Sequence, residues 1–179
     1  MIKMREKQEE RDALKQLIDQ TDLDRIVMIE VGSYAGESAD IFASSTGKVK
    51  TLYCIDPWKS GYDEGDIASY SSDFKEVENA FDEVQKKHSD VIVKYKGTLA
   101  DFIADHPEVK PDLLYIDACH QYEAVKSDLI AALSLHPKYL SGHDYVKEWG
   151  GVVKAVDEVL GKPDYVYVDW SWLKKLCEP

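Results

Sequence analysis

Apolar residues along this chain fall into short β-branched runs separated by stretches with helical spacing. Residues 26–31 (IVMIEV), 49–55 (VKTLYCI), 91–95 and 113–116, and more weakly 139–142, have the length and composition of strands. Between them the period changes. Phe74, Val77, Phe81 and Val84 recur at intervals of three, four and three, which predicts a helix over 73–88. Val125, Leu129, Ala132 and Leu133 share one side of a helix over 122–135, and Val152, Val153, Val156, Val159 and Leu160 mark another. Shorter helices are expected at 36–46, closed by Gly47, and from Gly97-Thr98 to near Pro107. Residues 1–20 carry only a narrow stripe (Leu14, Leu17, Ile18), as in a surface helix, and a break at 21–24 separates this N-terminal helix, 1–24, from one domain over 25–179. Residues 59–72 have neither period and read as a loop that covers something. Alternating strands and helices imply a mostly parallel sheet with helices on both faces. A closing pair at 165–168 and 170–173, with no helix between, implies an antiparallel edge strand.

The first strand runs into Glu30-Val31-Gly32-Ser33-Tyr34-Ala35-Gly36 and then a helix. A buried strand breaking into a glycine turn and a helix is how doubly wound sheets build a nucleotide site. Gly32 lets a ligand approach the main chain, and the helix start offers unpaired N–H groups. Glu30, two residues before Gly32, suits an amino-bearing or cationic ligand better than a pyrophosphate. Ligands of such sheets bind beyond the carboxyl ends of the strands, and Glu30, Asp56, Asp117 and Asp144 stand there. Asp56, 20 residues after Gly36, is where a carboxylate takes ribose hydroxyls, although an Asp-Pro turn alone would also account for it.

Charge narrows the partners. The formal net charge is −12, and between Asp56 and Asp90 ten acids face four lysines. That field repels polyanions, so nucleic acid is not an expected partner. No apolar run approaches the ~20 residues of a membrane span, and the first residues have no signal-peptide core. Cys54, Cys119 and Cys177 form no CxxC pair, which fits a reduced cytoplasmic setting rather than zinc or a disulfide framework.

The segments IEVGSYAGESA (29–39), YCIDPW (53–58), KGTLADF (96–102), LLYIDACHQYEAVKSDL (113–129) and HDY…GGVVKAVDEV (143–159) together resemble class I S-adenosylmethionine-dependent methyltransferases. The nearest likeness is to small O-methyltransferases related to macrolide-sugar and, more distantly, catechol-type enzymes. The resemblance implies an α/β, Rossmann-like doubly wound, mostly parallel seven-stranded sheet with an antiparallel last strand. It places Glu30, Gly32, Ser33, Tyr34 and Gly36 around the methionine end of S-adenosyl-L-methionine, Asp56 on the ribose, and Pro57 and Trp58 beside the adenosine. Gly97 and Thr98 would lie by the adenine, and Asp117 would face the methyl group and the acceptor.

Methyl transfer to oxygen needs orientation and removal of the acceptor's proton, by a base or through a cation that lowers its pKa. Asp117 and His120 are the candidate catalytic residues, with His143 an alternative base; Asp117 and Asp144 are candidate Mg²⁺ ligands, following relatives that use such a metal. The segment before His143-Asp144 is shorter than in those relatives, which leaves the position of Asp144 open. Aromatics at 58, 62, 70, 122, 145 and 149 could line a small-molecule acceptor site, and Trp170 and Trp172 near the C-terminal edge leave room for a homo-oligomer. Two other functions share the early motifs. An NAD-dependent oxidoreductase is one, although GSYAG is not GxGxxG; a non-catalytic module that keeps the cofactor fold is the other.

Overall fold

The structure is a computed structural model that describes residues 7–45 and 47–176. Five parallel strands, β1 (Ile26–Val31), β2 (Val49–Asp56), β3 (Ile92–Lys96), β4 (Leu113–Ile116) and β5 (Tyr139–Gly142), stand in the order β3-β2-β1-β4-β5. Beyond β5 lies β7 (Trp172–Lys175), antiparallel to it, and then β6 (Tyr165–Val166). On one face pack α1 (Gln8–Asp19), α2 (Glu37–Ser44) and α4 (Phe74–Lys87); on the other, α5 (Leu99–Asp105), α6 (Tyr122–Leu133) and α7 (Gly150–Leu160). A four-residue helix, α3 (Ala68–Ser71), interrupts the connection from β2 to α4.

The strand period of two divides the core. Met28, Leu52, Leu113, Tyr115 and Tyr139 point to the α1-α2-α4 side, whereas Ile29, Ile55, Leu114, Ile116 and Leu140 point to the other. α4 presents Phe74, Val77, Phe81 and Val84 to the first layer, worth about 1.5–3 kcal/mol each on burial. Its N-cap Asp73 accepts from the N–H groups of Lys75 and Glu76, and Lys86 and Lys87 sit favourably in its last turn. α1 is more than a surface helix, because Ala13, Leu14, Leu17 and Ile18 are all buried in the shared core.

Several elements differ from the sequence reading. α2 stops at Ser44, and Gly47 occupies the following turn with φ +67°. The closing strands are shifted: Trp170 turns the chain at φ +65°, and Trp172 opens β7. Trp172 is therefore core, 1% exposed, while Trp170 stays 50% exposed. The antiparallel strand is β7, but it is wedged between β5 and β6, so β6 forms the edge. Cys177 lies outside the described residues, and Cys54 and Cys119 are free thiols.

Candidate active site

The strand order reverses between β1 and β4, and the site opens there. Gly32 follows β1 with φ +89°, its N–H donating to the Ile55 carbonyl. A Cβ on Gly32 would lie 2.0 Å from the Asp117 carbonyl oxygen, so the chain passes here only without a side chain. Tyr34 follows at φ +45°, and its N–H donates to Asp56 Oδ2 at 2.9 Å. Asp56 Oδ1 accepts from the Trp58 N–H at 2.6 Å, so the carboxylate ties the β1 turn to the β2 turn. Burial pushes the Asp56 carboxyl up against these two hydrogen bonds.

Two cavities meet at this crevice and share Gly32, Tyr34, Tyr62, Asp117 and Ala118 as a common wall. The smaller, about 160 Å³, lies over the ends of β2 and β3, between Asp56 and Pro57, Gly97 and Thr98, and Asp128 of α6. The larger, about 280 Å³, lies over β4 and β5, where Asp117, His120, His143 and Asp144 converge beneath Tyr62 and Trp149.

Although β5 has only four residues, its hydrogen-bonded register with β4 (Ile116 opposite Gly142) sets His143 opposite Asp117 and Asp144 one residue beyond. Ligand atoms of Asp117, His120 and Asp144 lie within 4.8 Å of one another. His120 Nε2 is 2.9 Å from Asp144 Oδ2, and its Nδ1 is 2.8 Å from Asp63 Oδ2. Its ring stacks on Trp149 at 4.1 Å. Burial works against the imidazolium, but hydrogen bonds from it to Asp144 and Asp63 win and carry its pKa up to about 9. Both ring nitrogens then act as donors. Asp144, at φ +58°, is held well below the usual carboxylate range despite its burial, by His120 and by His143 Nδ1 at 3.1 Å. Such left-handed non-glycine residues as Tyr34, Trp58 and Asp144 gather where a site over-determines its backbone.

The methyltransferase domain family model matches residues 29–145 of this chain. The chain belongs to this family. Its relation to solved structures is distant in sequence and close in fold. A protein of Klebsiella pneumoniae assigned as an O-methyltransferase superposes with a TM-score of 0.64 at 14% identity, covering 97% of this chain and 84% of that one. An O-methyltransferase of Bacillus cereus, in complex with SAH, gives 0.62 at 13% identity over 96% and 81%. A precorrin-6y C5,15-methyltransferase of Geobacter metallireducens gives 0.59 at 12% over 88% and 73%. No curated protein matches the sequence. Identities this low establish the fold and leave the acceptor open. By family and fold this is an S-adenosylmethionine-dependent methyltransferase, which sets the NAD-dependent reading aside.

Of the residues expected to contact the methyltransferase's cofactor, Gly32, Ser33 and Tyr34 line the larger cavity, and Asp56, Pro57, Gly97 and Thr98 line the smaller; Asp117 borders both. Three expected residues sit off these walls. Glu30 is fully buried beneath the turn, taking the Ser33 hydroxyl at 2.6 Å, with Oε1 unpaired among the described residues. Gly36 serves packing, since a Cβ there would meet Phe81 and Val84 at 3.1–3.2 Å. Trp58 turns into the core against Phe81, 4.8 Å between rings, and its indole N–H donates to the Tyr34 carbonyl. Of the other aromatics, Tyr122 and Tyr145 bond outward to Glu158 and Asp157, and Tyr70 is exposed. Two participants went unread. Asp63, 1% exposed, reaches His120 from a loop that carries no periodic signal. Asp128 had a signal: it stands three residues after Val125 and four before Ala132, both buried on α6.

The donor sets fit the groups this family implies. The smaller cavity places a carboxylate, Asp56, beside apolar walls at Val31, Ile55 and Leu99. Asp117 and Asp144 supply hard oxygen ligands close enough to share a divalent cation. Among the described residues no helix is long and apolar enough to cross a membrane.

Proposed function

We propose that this methyltransferase O-methylates a small polar acceptor, a sugar hydroxyl or a phenol, in the larger cavity, with help from a divalent cation held by Asp117 and Asp144. The observation that carries this reading is the convergence of those two carboxylates on the wall that continues into the smaller cavity and Asp56. S-adenosylmethionine supplies an electrophilic methyl group on a sulfonium, and a cation at this site would lower the pKa of an acceptor hydroxyl.

The chain supplies orientation and proton removal. Asp56 takes the ribose hydroxyls, and Gly97 and Thr98 border the base. Tyr62 and Trp149 offer flat walls to a ring-bearing acceptor. His120, 2.9 Å from Asp144 and 2.8 Å from Asp63, positions both carboxylates, and His143 on the same wall is a second imidazole within reach of the acceptor's proton. The net charge of −12 argues for a small acceptor over nucleic acid, and free thiols agree with a cytoplasmic setting.

The test is calorimetric titration with S-adenosylhomocysteine, beside Asp56→Ala, followed by an acceptor panel with and without Mg²⁺. Binding lost in the variant, and turnover abolished by chelation, supports the reading. Asp144→Asn is expected to keep cofactor affinity and lose about 10²–10⁴-fold in kcat. Cofactor binding without turnover on any acceptor favours a non-catalytic module instead.

A further inference from the structure

The smaller cavity contains a group that the reaction above does not use. Asp128 of α6 lines it together with Asp56. The two carboxylates differ in their surroundings. Asp56 already accepts two backbone N–H groups, from Tyr34 and Trp58. Asp128 has no donor among the described residues, and apolar walls at Val31, Ile55 and Leu99 offer it none. Placing an ionised carboxylate in such a pocket is unfavourable unless a donor meets it there. A ligand donor is the simplest way to satisfy it.

An adenosine has only two kinds of donor, its ribose hydroxyls and its exocyclic amine. The ring nitrogens are acceptors, which a carboxylate repels. With the hydroxyls assigned to Asp56 at the end of β2, the amine is the remaining donor. We propose that Asp128 accepts a hydrogen bond from the exocyclic amine of the cofactor's adenine, so that α6 selects an aminopurine in the smaller cavity. This rests on the cofactor reading above. It adds a specificity-determining residue at the far end of the cleft from the transferred methyl group.

The probe is a pair of ligands, S-adenosylhomocysteine and its purine-riboside counterpart, in which a hydrogen replaces the amine and no other donor is added. Both are titrated calorimetrically into the full-length protein and into Asp128→Asn and Asp128→Ala. The native protein should bind the adenine ligand about 10- to 100-fold more tightly, the range expected for one hydrogen bond to a charged group. Asp128→Ala should reduce that ratio to within about threefold, and Asp128→Asn, whose amide oxygen still accepts but carries no charge, should reduce it less. Asp56→Asn should weaken both ligands and leave the ratio unchanged. A native protein that binds both ligands equally, or variants that keep the native ratio, overturns the proposal while leaving the cofactor assignment intact. A folded native protein that binds neither ligand at millimolar concentration overturns both. The native ratio decides the matter even if a variant fails to fold.

Discussion

Gly32 admits no side chain. Alanine there would place a methyl carbon 2.0 Å from a main-chain oxygen at φ +89°, with no flexible neighbour to move aside. Gly32→Ala is expected to cost about 2–5 kcal/mol, combining left-handed strain and overpacking, read as a lowered urea midpoint. Asp128 should act in the opposite direction. Burial raises its pKa to about 6, against about 3.9 for an unfolded aspartate, so between these values the folded chain binds the extra proton. The associated stability is present below about pH 4 and lost as pH rises through about 6. Asp128→Asn should therefore stabilise the ligand-free protein at pH 7.5, by about 1–2 kcal/mol after solvent screening, and bring no gain at pH 4. Paired denaturation curves at the two pH values check this. The glycine's constraint was legible in the sequence because it belongs to a strand-turn-helix pattern. The carboxylate's spacing from Val125 and Ala132 marked it as inward-facing, but which cavity it enters depends on where that face of α6 points.

At the scale of elements, the strands and α4 could be read directly, since burial on one face imposes a period on the sequence. The segment between β2 and α4 could not. It is held by side chains bonding to nearby main chain, which leaves no period: Ser69 Oγ accepts from the Asp63 N–H, and Asp66 accepts from the Ala68 N–H and the Tyr62 hydroxyl. Two contacts link it to the rest of the site: Asp63 accepts from both the backbone and the ring of His120, and Ser72 shares a 2.6 Å hydrogen bond with the Tyr34 hydroxyl. Asp63→Ala should release the segment while leaving α4 in place. Hydrogen exchange should then show protection falling at least ~10-fold over residues 61–70, with the amides of residues 77–84 unchanged.

For the whole molecule, the alternation of strands and helices predicted the parallel sheet but not how its last strands are inserted. Antiparallel pairing at the C-terminus is compatible with β7 at the edge or wedged inside, and the wedge depends on Trp172 packing into the core beside β5. The homo-oligomer expectation now rests on Trp170 with Tyr165, Val166 and Val168, which are exposed at the β6 edge. The excess of acids acts globally. Screening of self-repulsion should raise the melting temperature by about 2–4 °C between 0.05 and 0.5 M NaCl, roughly 1 kcal/mol for a chain of this size.

Tyr62 belongs to the walls of both cavities, and it is carried by the same segment that Asp63 pins to His120. The consequence is kinetic. Loosening that segment alters a wall of both cavities at once, so the dissociation rates of ligands from the two should rise together in Asp63→Ala.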